Sequence, residues 1–326
     1  MAVAGLRHPH VETMLAEARR EAVDLIGIAD ADDAVRTERA AALGVHGHAD
    51  HRDLLSLSPD VLAVAAVNSD RAAIIVDGLA AGCHVIADKP MCTTLADLDA
   101  IGSAAHSSTG SLTLLLEKRW YPETQACLEI VRQGELGDVV AIEASGPHRL
   151  LPATRPAWMF EPLRYGGLLG DLAVHDLDLA RLFGRVTGTV ATGTVTAVAR
   201  ASRSDPTGFA DHGAALVEFD GGPVVQATVD WLSPEAAPYH GDYRMRLTGT
   251  RGTADLRWRE RRLTVATHDR PPRDITLEPP PRAAQAVFDA LLAGDPLEPD
   301  LGDSIEATRL ALLAQRAADT GTPQRF

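Results

Sequence analysis

VLAVAAVNSDRAAIIVDGLAAGCHVIADKP, residues 61–90, decides the fold. Val61–Val67 is an unbroken apolar run of strand length. Arg71–Ala81 has helix-forming content and is closed by Gly82. His84–Ala87 is a second apolar run, ended by Lys89-Pro90. Strands that are continuously apolar rather than alternating are covered on both faces, and a strand–helix–strand unit of this length builds a parallel sheet. The pattern repeats on either side. Upstream, Ala2–Ala4 and Leu25–Ala29 read as strands, with helices over His10–Glu21 and Ala34–Leu43. Downstream, a helix over Leu95–Ala105 leads to a strand at Leu112–Leu116. This alternation predicts a doubly wound α/β domain.

The pattern changes after about residue 120. Helices are expected over Thr124–Gln133 and Asp171–Phe183, with a strand at Val139–Ser145. Strands then follow one another at 189–199, Ala214–Phe219, Val224–Trp231, Tyr243–Thr248, Thr253–Trp258 and Arg262–Thr267. Asp220-Gly221-Gly222 is a hairpin signal, and Thr250-Arg251-Gly252 links the next pair. Successive strands with short turns make a mostly antiparallel sheet. Helices Arg282–Ala293 and Ser304–Ala318 close the chain. The expected organisation is therefore a dinucleotide-binding domain over residues 1–118 and a second α/β domain over 119–326.

Composition narrows the function classes. The 326 residues carry 31 Lys plus Arg against 45 Asp plus Glu, a formal charge of −14. Such an acidic chain repels phosphate backbones, which argues against nucleic-acid binding. No apolar run reaches the ~20 residues of a membrane span, and the start MAVAGLRHPH lacks the pattern of a secretory signal. Cys83, Cys92 and Cys127 have no CxxC spacing and read as reduced thiols of a cytoplasmic protein, with no metal site.

Candidate site residues come from four places. The turn after the first strand is Gly5-Leu6-Arg7-His8-Pro9-His10. Gly5 fills the first position of a dinucleotide fingerprint, while Arg7 and His10 stand where its second and third glycines belong. Arg7 offers a guanidinium to phosphate, or is a surface loop residue with His8. Asp30 ends the second strand, twenty residues after His10, where an acidic side chain meets the ribose hydroxyls and repels a 2′-phosphate; this favours NAD over NADP. Asn68 follows the third strand and either reaches the nicotinamide ribose or caps the next helix. Lys89 lies just beyond the 84–87 strand, pointing into the crevice or lying at the surface. Finally, GGLLGDLAVHDLDLARLFG (166–184) spaces Asp171, His175 and Asp178 by four and three, on one helical face. Acid–base chemistry explains such a stripe. A hydrogen-bonded structural cluster also does, and metal binding lacks a supporting cysteine or second histidine pair.

Gly5 with its loop, GCHVIADKP, the segments KRWYPE and GELGDV, GGLLGDLAVHDLDL and the stretch from Leu247 to Leu256 together resemble the glucose–fructose oxidoreductase / inositol dehydrogenase / rhizopine-catabolism (Gfo/Idh/MocA) family over nearly the whole chain. The resemblance implies a Rossmann domain followed by an α/β domain with a large open sheet. It implies hydride transfer between NAD(P) and a hydroxyl or keto carbon of a sugar or cyclitol, and pairing of sheet faces in a homodimer or homotetramer. By motif, Lys89 matches the lysine beside the nicotinamide, Asp88 replaces the usual glutamate before it, and Asp171 and His175 match the carboxylate and the proton-transferring histidine. Arg119 and Trp120 match an R-F/W-x-P region near the domain junction. With His148, Trp158 and Tyr165 they are the expected substrate contacts. Arg71 stands where members often carry histidine. An NAD-using lyase or glycosidase with transient oxidation, and a non-catalytic NAD-dependent sensor, are the alternatives of the same fold.

Overall fold

The computed structural model describes residues 1–186, 192–203 and 208–326. The first part runs β1 (Ala2–Ala4), α1 (Val11–Arg20), β2 (Gly27–Ala29), α2 (Asp33–Leu43), β3 (Gly47–His48), α3 (His51–Leu55), β4 (Val61–Val64), α4 (Arg71–Ala80), β5 (His84–Ala87), α5 (Leu95–Ser107) and β6 (Leu112–Leu114). The rest runs α6 (Pro122–Arg132), β7 (Val139–Pro147), α7 (Pro162–Tyr165), α8 (Val174–Val186), β8 (Gly193–Arg200), β9 (His212–Phe219), β10 (Val224–Asp230), β11 (Arg244–Gly249), β12 (Gly252–Arg257), β13 (Arg262–Thr267), β14 (Arg270–Asp274), α9 (Ala283–Ala293), α10 (Leu301–Thr320) and β15 (Gln324–Arg325).

These elements form two compact units. The first holds Met1–Leu116 and takes back Pro156–Gly166 and Arg282–Thr308. The second holds Glu117–Arg155, Gly167–Pro281 and Arg309–Phe326. The sequence placed a single boundary after residue 118, because a strand-and-helix pattern does not show where later segments return. Specific bonds bring them back. Arg282 clamps the buried Glu17 carboxylate on α1, with Nε 2.8 Å from Oε2. Thr113 on β6 donates to the Pro299 carbonyl, and Ser304 accepts from the Leu114 amide.

In the first unit, six parallel strands lie in the order β3-β2-β1-β4-β5-β6. Their apolar side chains are buried, as continuous hydrophobicity requires. β2 and β4 are shorter than their apolar runs because β1 offers only three residues to pair with. Asp32 caps α2 by accepting from the amides of Ala34 and Val35, and Thr94 caps α5 through Asp97. β3 and α3 were not expected: VHGHADHRDLL is too short and polar to show either period, and the α3 start is set by an Asp50 cap on Arg52.

The second unit is a nine-stranded sheet, β14-β13-β12-β11-β7-β10-β9-β8-β15, antiparallel except where β7 and β10 run parallel. The β9–β10 hairpin closes at Asp220-Gly221-Gly222, with Gly221 at φ +73°. Of the strand expected at 189–199, residues 189–191 lie outside the described residues; β8 begins at Gly193. β14 was missed because its RPPRD sequence has no strand signature, and its prolines are tolerated on this edge. The expected helix from Asp171 begins instead with one π-helical turn over Leu169–Ala173. Among the described residues, no helix is long and apolar enough to cross a membrane. The three cysteines are buried free thiols.

Candidate active site

The strand order reverses between β1 and β4, and ligands of open α/β sheets bind at the carboxyl ends of strands at that point. Here a cleft of about 510 Å³ opens within the first unit, lined among others by Gly5, Arg7, Asp30, Ala66, Ser69 and Arg164. Gly5 has φ +84°, and a Cβ at that position would sit 2.6 Å from the Ala66 Cβ and closer still to the Ala66 backbone. The glycine lets two loops approach at the cleft floor. Asp30 sits beside it. Its Oδ2 accepts from the Leu6 amide and its Oδ1 from the Asp32 amide, both at 2.9 Å. These bonds fix the carboxylate at the cleft, where the sequence placed it.

Arg7 lines the same cleft, but its guanidinium is paired with Asp32 and lies 3.5 Å from Asp30. Asn68 is buried and donates from Nδ2 to the Tyr165 carbonyl at 2.9 Å. It does not cap α4, whose first turn has no side-chain cap. Its Oδ1 is buried with no hydrogen-bond partner among the described residues, an acceptor awaiting a donor.

Asp88 is fully buried at the end of β5. Its Oδ1 lies 2.8 Å from His10 Nδ1, and its Oδ2 lies 2.6 Å from His8 Nδ1 and 3.0 Å from Arg71 Nη2. Burial alone would raise this carboxyl; the charges of His8, His10 and Arg71 and the His10 hydrogen bond outweigh it and hold the group well below the usual carboxylate range. Burial pushes the His8 imidazole down to about 4, against the pull of Asp88. Arg71 also donates to the carbonyls of Ala66 (2.8 Å), Asp88 (3.1 Å) and Pro90 (2.8 Å). It therefore grips the backbone on both sides of Lys89, itself 6% exposed. Sequence reasoning missed His10 and Arg71 as members of this cluster. A buried arginine at the start of an otherwise apolar helix was the available signal.

In the second unit, Asp171 lies in the π-helical turn and His175 in α8, both almost buried. The third member of the stripe is a structural group. Asp178 is held by Arg119 through two bonds, Nε–Oδ2 at 2.7 Å and Nη2–Oδ1 at 2.6 Å. Next to it, Lys118 Nζ is 2.6 Å from Asp176 Oδ1 and 4.5 Å from the Tyr243 ring centre. Arg119, expected at substrate, is thus the buried counter-ion of α8, because two adjacent bases face two acids on that helix. Trp120 is half-buried in the turn Glu117–Trp120. His148 bonds the Gly146 carbonyl through Nδ1 and packs among Trp231, His240 and Tyr243. In the first unit, Trp158 is buried with its indole N–H unpaired among the described residues.

Residues 1–114 match the family described as "Oxidoreductase family, NAD-binding Rossmann fold", and residues 124–255 match the "GFO/IDH/MocA C-terminal domain". The chain belongs to the Gfo/Idh/MocA oxidoreductase family. Among its relatives, the D-glucoside 3-dehydrogenase of Escherichia coli (strain K12) is 28% identical over 167 residues, 49% of this chain and 46% of that protein. The uncharacterized oxidoreductase YdgJ of the same organism is 30% identical over 126 residues, 38% of this chain and 36% of that protein. The chain thus spans less than half the length of these curated relatives. The solved structure of a levoglucosan dehydrogenase in complex with NADH and levoglucosan shares the fold, with a TM-score of 0.84 at 19% identity, covering 100% of this chain and 98% of that one.

The first unit is accordingly a Rossmann domain for a nicotinamide dinucleotide, and its residues fit one. Gly5 clears the floor of the cleft, Asp30 holds a carboxylate at its edge, and Asn68 keeps a buried acceptor without a partner among the described residues.

Proposed function

We propose that the protein is an NAD-dependent dehydrogenase or reductase that acts on a CH–OH or keto carbon of a sugar, cyclitol or similar polyol. The observation that carries this reading is Lys89: a buried lysine two residues beyond a parallel strand, with the carbonyls of its two neighbours, Asp88 and Pro90, gripped by Arg71. Burying a lysine whose neighbouring backbone is fixed in this way, at the ligand-binding end of a Rossmann sheet, suits a chemical role more than solubility. Similarity to a D-glucoside 3-dehydrogenase, and the fold shared with a levoglucosan dehydrogenase, support a sugar-like substrate.

The bound cofactor supplies the hydride acceptor. Gly5, Asp30 and Asn68 hold it, and Asp30 selects NAD because its charge repels a 2′-phosphate. His175 takes the hydroxyl proton as general base, since an imidazole titrates near neutral pH. Lys89 donates a hydrogen bond to the same oxygen and stabilises the charge that grows there. Asp171 orients the site and binds a further hydroxyl, with Trp120, Trp158 and His148 as additional substrate contacts. A cytoplasmic homodimer or homotetramer completes the reading; exposed Val198, Leu216 and Val224 on β8–β10 support pairing of that sheet.

The test is absorbance at the NADH band with NAD and a panel of sugars and cyclitols. NADH accumulates in proportion to substrate consumed. His175→Ala and Lys89→Ala each lower kcat by about 10²-fold or more while dinucleotide affinity stays. Near-normal turnover in either variant overturns the assignment of that residue. Consumption of substrate with no net NADH overturns the dehydrogenase reading.

A further inference from the structure

A cavity of about 350 Å³ opens within the second unit, between the start of α6, the loop before β11 and the turn Trp258–Glu260. Asp171 and His175 do not line it. Its volume falls within the roughly 300–1,000 Å³ of small-molecule sites. Its walls are aromatic: Tyr121, Tyr239, Tyr243 and Trp258. These rings are held in place. The Trp258 indole N–H donates to the Thr124 hydroxyl at 3.0 Å. Tyr121 stands edge to face with Trp258, ring centres 6.5 Å apart. The Lys118 ammonium, bonded to Asp176, lies 4.5 Å from the Tyr243 ring centre and 5.4 Å from that of Trp258. Arg259 places its guanidinium 4.9 Å from the Tyr239 ring centre.

The polar groups at the cavity are few and of both kinds. Glu123, 2% exposed, lines it with an Oε1 that has no hydrogen-bond partner among the described residues. Burial pushes its carboxyl up, against the pull of its own amide and of Arg261. Burial also pushes the Tyr121 and Tyr243 phenols up, so both keep a proton to donate. Exposed Arg261 adds a guanidinium. This set sorts ligands by charge. Arg259 and Arg261 repel a cation, and Glu123 disfavours an anion. A flat hydrocarbon ring would leave the Glu123 oxygen unpaired, at about 1–3 kcal/mol. A neutral ring bearing hydroxyls meets every condition. Its C–H face lies on the electron-rich faces of the aromatic rings, and its hydroxyls donate to Glu123 and accept from the phenols and Arg261.

We infer that this cavity is a carbohydrate-binding site, separate from the catalytic groups, which takes a neutral pyranose ring against Tyr239, Tyr243 and Trp258 with Glu123 as the acceptor for one of its hydroxyls. The inference needs neither the dinucleotide nor hydride transfer, and it stands or falls apart from them.

Fluorine NMR of the full chain tests it, with 5-fluorotryptophan at the four tryptophans and the Trp258 line assigned by Trp258→Phe. Without any dinucleotide, methyl glucoside shifts the Trp258 line saturably. Tyr239→Ala and Glu123→Gln each raise the dissociation constant read from that line by about tenfold. Tyr239→Phe, which keeps the ring, restores most of the affinity, a rescue that a merely structural defect would not show. His175→Ala leaves the Trp258 titration as in wild type. Absence of any shift overturns the proposal. So does a shift that survives Tyr239→Ala and Glu123→Gln and disappears in His175→Ala, which would place the sugar at the catalytic groups alone. Tetramethylammonium or benzoate moving the Trp258 line at lower concentration than the glucoside overturns it in favour of a cation or an aromatic anion. NADH formation, measured separately by absorbance, is untouched by any of these results.

Discussion

Gly5→Ala is the sharpest probe of the cleft. Residue 5 has φ +84°, a conformation that costs an L-residue roughly 1–2 kcal/mol. The added methyl would lie 2.6 Å from the Ala66 Cβ, where ordinary contact begins at 3.4 Å, and it would press harder on the Ala66 backbone. The 5–10 loop must therefore retreat by ~1 Å, since the buried Ala66 backbone is close-packed and does not yield to a methyl group. That retreat pulls the Leu6 amide from Asp30 and shifts every group facing the phosphates. Losing one charge-assisted bond is worth about 1.5–3 kcal/mol, so NADH should bind on the order of 10- to 100-fold more weakly. NADH fluorescence titration measures this, with scanning fluorimetry alongside for the accompanying drop in melting temperature. Adding Ala66→Gly should not rescue binding, because the obstruction includes the Ala66 N and Cα atoms. A Gly5→Ala protein with wild-type NADH affinity and melting temperature would refute the reasoning.

Three further outcomes follow from the same bonds. Asp30→Ala should weaken NAD by about tenfold and narrow its preference over NADP, measured as the two dissociation constants; an unchanged ratio removes Asp30 from ribose recognition. Asp178→Ala strands the buried Arg119 charge and should cost about 3–5 kcal/mol in urea denaturation, whereas Arg119→Met with Asp178→Leu recovers much of it. A single variant as stable as wild type would mean that the pair is dispensable. Asp211 is buried, which alone would raise its carboxyl, but bonds from His212, the Ser202 hydroxyl and the Ser202 and Arg203 amides bring it down to about 2. Its folded value lies below the ordinary ~3.9, so its contribution is complete above that value and disappears as pH falls toward 2. Asp211→Asn should flatten this acid limb in a pH series of melting temperatures, and an unaltered limb would show that the group does not govern it.

The layered architecture was legible because burial on both faces writes itself into sequence as unbroken apolar runs, and Gly and Pro punctuate them. VLAVAAV and HVIA could be placed as neighbouring parallel strands from composition alone, and DGG announced its hairpin. What escaped has a physical reason in each case. β3 is two residues long and α3 five, shorter than either periodicity. The return of Pro156–Gly166 and Arg282–Thr308 to the first unit depends on bonds such as Arg282–Glu17, whose partners lie 265 residues apart. A pattern read along the chain contains no term for such distances.

The site shows the same division more sharply. A helix carrying Asp171, His175, Asp176 and Asp178 offers four chemical groups to a reader of sequence, and spacing alone selects Asp171, His175 and Asp178. The structure sorts them by their bases instead. Lys118 and Arg119, adjacent in the chain, take Asp176 and Asp178 as their buried counter-ions. The proposed mechanism accordingly gives proton transfer to His175, with Asp171 orienting the site; helical spacing is a poor guide to that choice, because the π-helical turn at 169–173 alters it. The loop GLRHPH teaches the complementary lesson. Judged by missing glycines it is a damaged nucleotide motif; judged with Asp88, 78 residues beyond His10, it is a loop whose two imidazoles stand against a buried carboxylate. Substitutions at Arg7 and His10 look independent in sequence. In space one side chain balances the acidic end of the cleft and the other joins a buried carboxylate, so each altered position carries its own compensation.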